Sequence, residues 1–213
     1  CPWSGRRFLA SECSELKPVD TTMNSKPLAT TRSSTGISTG KLAVWWLLAS
    51  EIVIFGGVLA SYIMHRIGHV EFGEYASHTN VWLGSINTFV LLTSSFSAVL
   101  AHQAAERGDG KRAAKLLWAT IGGGGIFLMV KSFEWTYEIS NGFTMQSNAF
   151  WHFYYLAAGI HASHVVAGMI AMWIISLKAY KNEQLERVEL AGIYWHFVDV
   201  VWIFLFPLLY IAK

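Results

Sequence analysis

The pattern of hydrophobic and polar positions divides the chain into one polar stretch followed by five long apolar segments. Residues 1–40 are rich in Ser and Thr and hold three of the four prolines. The apolar segments cover residues 42–65, 80–103, 114–137, 150–177 and 191–212. Because about 20 apolar residues in a helix cross a bilayer, each segment predicts a transmembrane helix. The sequence therefore predicts an all-α, polytopic membrane protein built as a bundle of five transmembrane helices.

Composition agrees with a membrane protein. Of the 213 residues, 53% are hydrophobic, 15% aromatic and only 14% charged, whereas soluble domains carry about 25% charged residues. The formal net charge of +2 is small, and we expect no nucleic-acid partner. Both cysteines, Cys1 and Cys13, lie in the polar stretch, so they predict neither a disulfide framework nor a zinc site in the apolar body.

Two regions follow from this pattern. Residues 1–40 lack the apolar positions of a packed core, so we expect a disordered tail. Residues 41–213 form the predicted transmembrane domain. The first methionine is Met23, and one interpretation is that residues 1–22 are not part of the native protein.

The positive charges orient the helices. Lys and Arg number six before the first span, four around the second connection, counting Lys115 at the start of the third span, and three in the fourth connection, against two on the opposite side. Cytoplasmic connections of membrane proteins carry the excess of Lys and Arg. The sequence therefore predicts an N-terminus inside and a C-terminus outside.

Ionisable residues within the spans are the candidate functional groups, because burying them in a membrane is costly and usually marks a function or a partner. They are Glu51, Lys131, Glu134, His161, His164, His196 and Asp199. Residues three apart in a helix are neighbours. The spacing therefore predicts two bonded pairs, Lys131–Glu134 and His196–Asp199.

Other residues of the spans have more than one interpretation. Glu51 is either a proton-linked carboxyl that faces a partner or an acid hydrogen-bonded within the bundle. His161 and His164, predicted to face one side, could ligate a metal or haem, bond across helices, or hold a lipid phosphate. A metal site needs three or four ligands in one small volume, and we predict neither a metal site nor a catalytic residue. Gly122 to Gly125 predict close helix packing.

Several motifs together resemble subunit III of the haem-copper (cytochrome c) oxidases. The most specific is YWHFVDVVW at 194–202, which is similar to the YWHxVDxxW of the last helix of that family. The SExxxFGG pattern at 50–57 and the GxHxxHVxxG pattern at 159–168 also match, as do INTFVLLTSS at 86–95 and FEW at 133–135. The resemblance covers about 170 residues and all five spans, as in the five-span bacterial form; the longest family members have seven spans.

The resemblance implies a role and a location. It implies a non-catalytic core subunit of a bacterial oxidase in the inner (plasma) membrane, which takes electrons from cytochrome c or quinol in aerobic electron transport. Haem and copper would lie on the partner subunits I and II, with no cofactor on this chain except structural phospholipid. Glu51 falls on the family's buried glutamate that reacts with carbodiimide, which implies a proton-coupling or structural carboxyl.

Three alternatives stay open at this point. The short form and the VKSFEW stretch also suit the subunit-III-like accessory protein of nitric oxide reductase. His161 and His164 would suit an independent haem- or metal-binding membrane protein. A transporter acting alone through Glu51 and Asp199 is a third class, although the chain lacks inverted repeats and broken helices.

Overall fold

A computed structural model describes residues 39–68, 71–76 and 79–212, and these ranges contain helices without any strand. The helices are α1 (Thr39–Gly68), α2 (Glu71–Ala76), α3 (Val81–Glu106), α4 (Gly110–Ser140), α5 (Ala149–Ala179) and α6 (Glu186–Phe206), followed by a π-helical turn, Pro207–Ile211. Within the described ranges, five helices are long and apolar enough to cross a membrane; the fifth comprises α6 and the π turn. The predicted all-α, five-span fold is confirmed.

Polar residues cap the starts of three of the helices. The side chains of Asn80, Asp109 and Asn148 accept hydrogen bonds from backbone N–H groups in the first turns of α3, α4 and α5, which satisfies donors that a helix start leaves free. The short helix α2 lies in the first connection and was not predicted. The predicted disordered tail lies outside the described ranges except for residues 39 and 40, which belong to α1.

The core of the bundle is formed by α3, α4, α5 and α6. Helix α3 packs on α4 and α6, and α5 packs on the same two helices. We call the end at which α1 begins the amino end of the bundle, and the end at which α6 terminates the carboxyl end. Large aromatic side chains fill the interior, with Trp151, Trp195 and Trp202 almost fully buried.

Helix α1 lies at the side of this core and is attached by polar contacts and by the buried rings of Phe55 and Tyr62. At the amino end, Lys41 forms an ion pair of 2.6 Å with Glu189 of α6. Halfway along, Glu51 faces α5. The rest of α1 is largely exposed, including Trp46, Val53 and Ile67 at 77%, 75% and 81% of their surface. This apolar surface is available to lipid or to another membrane protein.

The π turn at the carboxyl end explains how α1 is attached there. Pro207 has no backbone N–H, so the regular hydrogen-bond ladder cannot continue through it. The N–H of Ala212 instead donates to the carbonyl of Pro207 at 2.9 Å. Tyr62 donates to the carbonyl of Leu208 at 2.9 Å, and Arg66 to that of Ala212 at 2.7 Å. Side chains of α1 thus satisfy carbonyls that the end of the helix leaves free.

The glycine run of α4 supports close packing at two of its four positions. A Cβ atom on Gly123 would lie 2.6 Å from Cβ of Ser94 in α3, and one on Gly124 would lie 2.7 Å from the ring of Trp195 in α6. A Cβ on Gly122 would meet no atom within 4 Å. Helices that approach through small residues pack their backbones closely.

We expect Gly123→Ala to destabilise the protein, because its new methyl group would overlap the side chain of Ser94. Overpacking of this kind costs about 1–3 kcal/mol. Gly122→Ala is the matched control, with no loss expected because its methyl group has free space. Thermal unfolding in detergent compares the two variants, and equal melting temperatures would contradict the packing assignment.

Candidate functional site

The structure divides the predicted intramembrane network into separate groups. The first, which we call the Lys131 cluster, contains Lys131, Glu134, Glu138, Tyr154 and Tyr210. The second is the pair of Glu51 and His164, and the third is the pair of Ser95 and His196. Asp199 is buried without a hydrogen-bond partner among the described residues. His161 belongs to none of them.

The Lys131 cluster is buried near the carboxyl end of the bundle. The ammonium of Lys131, 2% exposed, donates to Glu134 at 3.1 Å and to the hydroxyl of Tyr154 at 2.9 Å, and it also contacts the hydroxyl of Tyr210. Tyr210 donates to Glu134 at 2.8 Å, and Tyr154 lies 3.2 Å from a carboxyl oxygen of Glu138. The predicted Lys131–Glu134 pair is confirmed, and side chains from three helices surround it.

The net charge of the Lys131 cluster depends on whether one of its carboxyl groups keeps a proton. It contains two carboxyl groups and one ammonium, all almost fully buried, so its charges cancel only when one carboxyl keeps a proton. The second oxygen of Glu138 has no hydrogen-bond partner among the described residues. The cluster is therefore both a structural link between α4, α5 and the π turn after α6 and a place that can hold a proton.

Glu138 and the two tyrosines were missed as cluster residues. The sequence interpretation placed Glu138 in a connection between spans, whereas it lies within α4 and is 4% exposed. The sequence did contain a signal for Glu138. Lys131, Glu134 and Glu138 are separated by three and four positions, and residues at this spacing lie on one face of a helix. Tyr154 and Trp151, near the start of α5, are fully buried because they pack inside the bundle against other aromatic rings.

Glu51 and His164 form the contact between α1 and α5. One carboxyl oxygen of Glu51 lies 2.9 Å from Nε2 of His164, and the two side chains are 11% and 19% exposed. These atoms are at ion-pair distance, although the imidazole is not aligned for a hydrogen bond to that oxygen. The ring of Phe55 packs edge-on against His164, with 5.3 Å between the ring centroids.

The tautomer of His164 follows from its second contact. Its Nδ1 lies 2.8 Å from the carbonyl oxygen of Ile160, and a carbonyl can only accept, so Nδ1 carries a proton. This leaves Nε2 to face Glu51, so the pair brings a carboxyl oxygen and an imidazole nitrogen to ion-pair distance within the membrane.

The predicted hydrogen bond between His196 and Asp199 is wrong. Nδ1 of His196 instead lies 2.5 Å from the hydroxyl of Ser95 in α3. Neither carboxyl oxygen of Asp199 has a hydrogen-bond partner among the described residues, and Asp199 is 4% exposed. Residues three apart differ by about 60° around the helix axis, and here Nδ1 of His196 contacts a hydroxyl of the neighbouring helix instead.

The prediction that His161 and His164 face one side is also wrong. His164 faces α1, whereas His161 is fully buried between Phe127 of α4 and Trp202 of α6, with its ring stacked on the indole at 5.2 Å. In the part of the chain that the structure describes, no three His, Cys, Asp or Glu side chains converge as a metal site would require. The two histidines therefore do not form a shared ligand set.

The fold and these groups define a polytopic helical membrane protein with ionisable side chains held inside its bundle. Comparison with known proteins identifies its family. A family model described as cytochrome c oxidase subunit III matches residues 20–213. The chain belongs to the cytochrome c oxidase subunit III family.

Individual relatives agree with this family. The cytochrome c oxidase subunit 3 of Corynebacterium diphtheriae is 35% identical over 173 residues, which are 78% of this chain and 84% of the relative. That of Thermostichus vulcanus is 33% identical over 169 residues, 77% of this chain and 83% of the relative. A protein of Aeropyrum pernix named heme-copper oxidase subunit I+III is 30% identical over 183 residues, 80% of this chain and 22% of that longer protein. The comparisons support a subunit III role and do not favour the nitric oxide reductase alternative.

Proposed function

We propose that this chain is the non-catalytic subunit III of a proton-translocating terminal oxidase in the inner (plasma) membrane. The complex would oxidise cytochrome c or quinol and reduce dioxygen to water. Haem and copper would lie on subunits I and II, and this chain would carry no redox centre. The observation that carries the proposal is the family match over residues 20–213, which includes all five spans.

The partners of this proposal are subunits I and II and the membrane lipids. The relative named subunit I+III supports subunit I as the direct neighbour, because its name joins both subunits in one chain. The exposed apolar surface of α1 supports a contact of this kind within the membrane, since such a surface in a bilayer meets either lipid or protein. The chain would shield the flank of subunit I and support its stability.

Proton uptake is the second part of the role, and Glu51 is its candidate residue. The Glu51–His164 pair supports this because it places a carboxyl oxygen 2.9 Å from an imidazole nitrogen at the side of the bundle where α1 meets α5. The Lys131 cluster and the His196–Asp199 region supply further ionisable groups inside the bundle. We assign these groups to the structural support of the bundle, with Glu51 as the group coupled to turnover.

The subunit role is tested by isolating the oxidase with and without this chain. We expect the complex without it to keep its haem absorption per subunit I and to lose activity sooner during continuous turnover. Loss of the haem absorption together with this chain would contradict the non-catalytic role.

Glu51→Gln is expected to leave assembly intact and to slow or shorten turnover, because glutamine cannot exchange a proton with His164. The measurement is oxygen uptake by the purified complex over many turnovers. Glu106→Gln is the matched control, since Glu106 lies at the end of α3 with its side chain 65% exposed. Unchanged turnover in Glu51→Gln would overturn the assignment of a coupling role.

A further inference from the structure

A groove between α4 and α5 lies at the amino end of the bundle, opposite the end that holds the Lys131 cluster. It has a volume of about 600 Å³ and is lined by residues from the start of α4, the end of α5 and the turn that follows. Three lysines stand around it, Lys115, Lys178 and Lys181, together with a single carboxylate, Glu183. The groove therefore has an excess of positive charge.

Within the described ranges, these lysines are free of ion pairs. None of the three forms an ion pair with any described residue. Lys115 and Lys181 are exposed, and Lys178 is half-buried. Three ammonium groups without carboxylate partners around one groove complement an anion.

The backbone holds the lysines in place. Asn182 follows Lys181 in a left-handed conformation, with φ of 57°. Its side-chain oxygen accepts a hydrogen bond of 2.9 Å from the backbone N–H of Gly110 at the start of α4. This contact fixes the turn after α5 against α4, so that Lys181 and Lys115 line the same groove.

The rest of the groove is apolar and leads into the membrane. Trp118 and Leu177 line it with 51% and 52% of their surfaces exposed, and Tyr180 lies at its rim with 58% exposed. One turn further into the bilayer, Trp173 and Ile174 of α5 expose 48% each. Tryptophan and tyrosine favour the membrane interface, where an apolar ring meets a polar headgroup. The groove thus joins a cationic mouth to an apolar path of the kind that an acyl chain follows.

We propose that this groove binds one anionic phospholipid, with its phosphate among Lys115, Lys178 and Lys181 and an acyl chain along Trp118 and Leu177. The inference deepens the lipid-holding part of the proposed function and gives it a location. It does not require oxidase activity, so it can fail or succeed independently of the assignment to an oxidase complex.

The test is a lipid titration of the intact complex, followed by native mass spectrometry, with phosphatidylglycerol and phosphatidylcholine as the probes. We expect preferential binding of phosphatidylglycerol. In the triple variant K115Q/K178Q/K181Q, we expect the affinity for phosphatidylglycerol to fall about a hundredfold, because each lysine at a membrane surface contributes about fivefold. The matched control is R107Q/K111Q/R112Q, which removes three positive charges at the same end of the bundle but outside the groove.

Two further measurements separate a lipid from a free anion and from general surface charge. Trp118→Ala is expected to weaken phosphatidylglycerol binding, because the acyl chain loses its contact, and saturating inorganic phosphate is expected not to displace the lipid. Complete displacement by phosphate would show a site for a free anion and overturn the proposal. Equal losses in the two triple variants would also overturn it, because general surface charge would then explain the binding.

Discussion

Lys131→Met is expected to lower the free energy of unfolding by about 3–5 kcal/mol, because removing one partner of a buried ion pair leaves the other charge uncompensated. Lys131 is the only ammonium in its cluster, and it contacts Glu134, Tyr154 and Tyr210 on three segments. It also lies over the rings of Tyr154 and Tyr210, at 4.6 and 5.0 Å from their centroids, where a cation gains further stabilisation. Thermal and denaturant unfolding in detergent measure the loss.

A second substitution separates charge from packing. In the double variant K131M/E134Q, one of the two carboxylates is gone, and we expect part of the stability to return, since residues in contact couple by about 0.5–3 kcal/mol. Lys111→Met is the control, because Lys111 lies exposed in the first turn of the same helix. A loss in Lys131→Met no larger than in the control would contradict the structural role of the cluster.

Trp195→Ala is expected to cost about 3–5 kcal/mol, the usual range for truncating a buried aromatic side chain. Trp195 is fully buried, and its ring fills the space that Gly124 of α4 and Gly168 of α5 leave open. Its indole N–H also donates to Ser94 of α3 at 3.1 Å. One side chain therefore connects α6 to all three of the other core helices.

The matched control for Trp195 is Trp173, the same residue type with 48% of its surface exposed. Trp173→Ala is expected to change stability by no more than about 0.5 kcal/mol, as substitutions away from packed features usually do. Melting temperatures of the two variants in the same detergent give the comparison. Similar losses in both would mean that the glycine-lined space around Trp195 does not determine the packing of the bundle.

The number of spans was predictable because their length and apolarity are properties of the chain alone. The Lys131–Glu134 pair was predictable for a related reason, since both residues lie on one helix at a spacing that brings them together. Tyr210 could not be added to that pair from spacing. Its position depends on the π turn that begins at Pro207 and on the packing of α6 against α3 and α5.

Contacts between helices account for the wrong predictions. Glu51 and His164 lie on α1 and α5, and nothing in their separate motifs indicates that the two side chains meet. His196 was expected to bond to Asp199 on its own helix, but the hydroxyl of Ser95 on α3 lies closer in the folded bundle. Local spacing identifies which residues share a face of a helix, whereas the partner of that face depends on tertiary packing.

The central claim is that this chain is subunit III of a terminal oxidase, and its most direct test is co-purification. The chain is extracted from its native membranes in mild detergent, and the recovered proteins are identified and their visible spectrum is recorded. We expect a haem–copper subunit I and a copper-bearing subunit II, with oxygen-reducing activity. Recovery of the chain alone, or with a nitric oxide reductase, would contradict the claim.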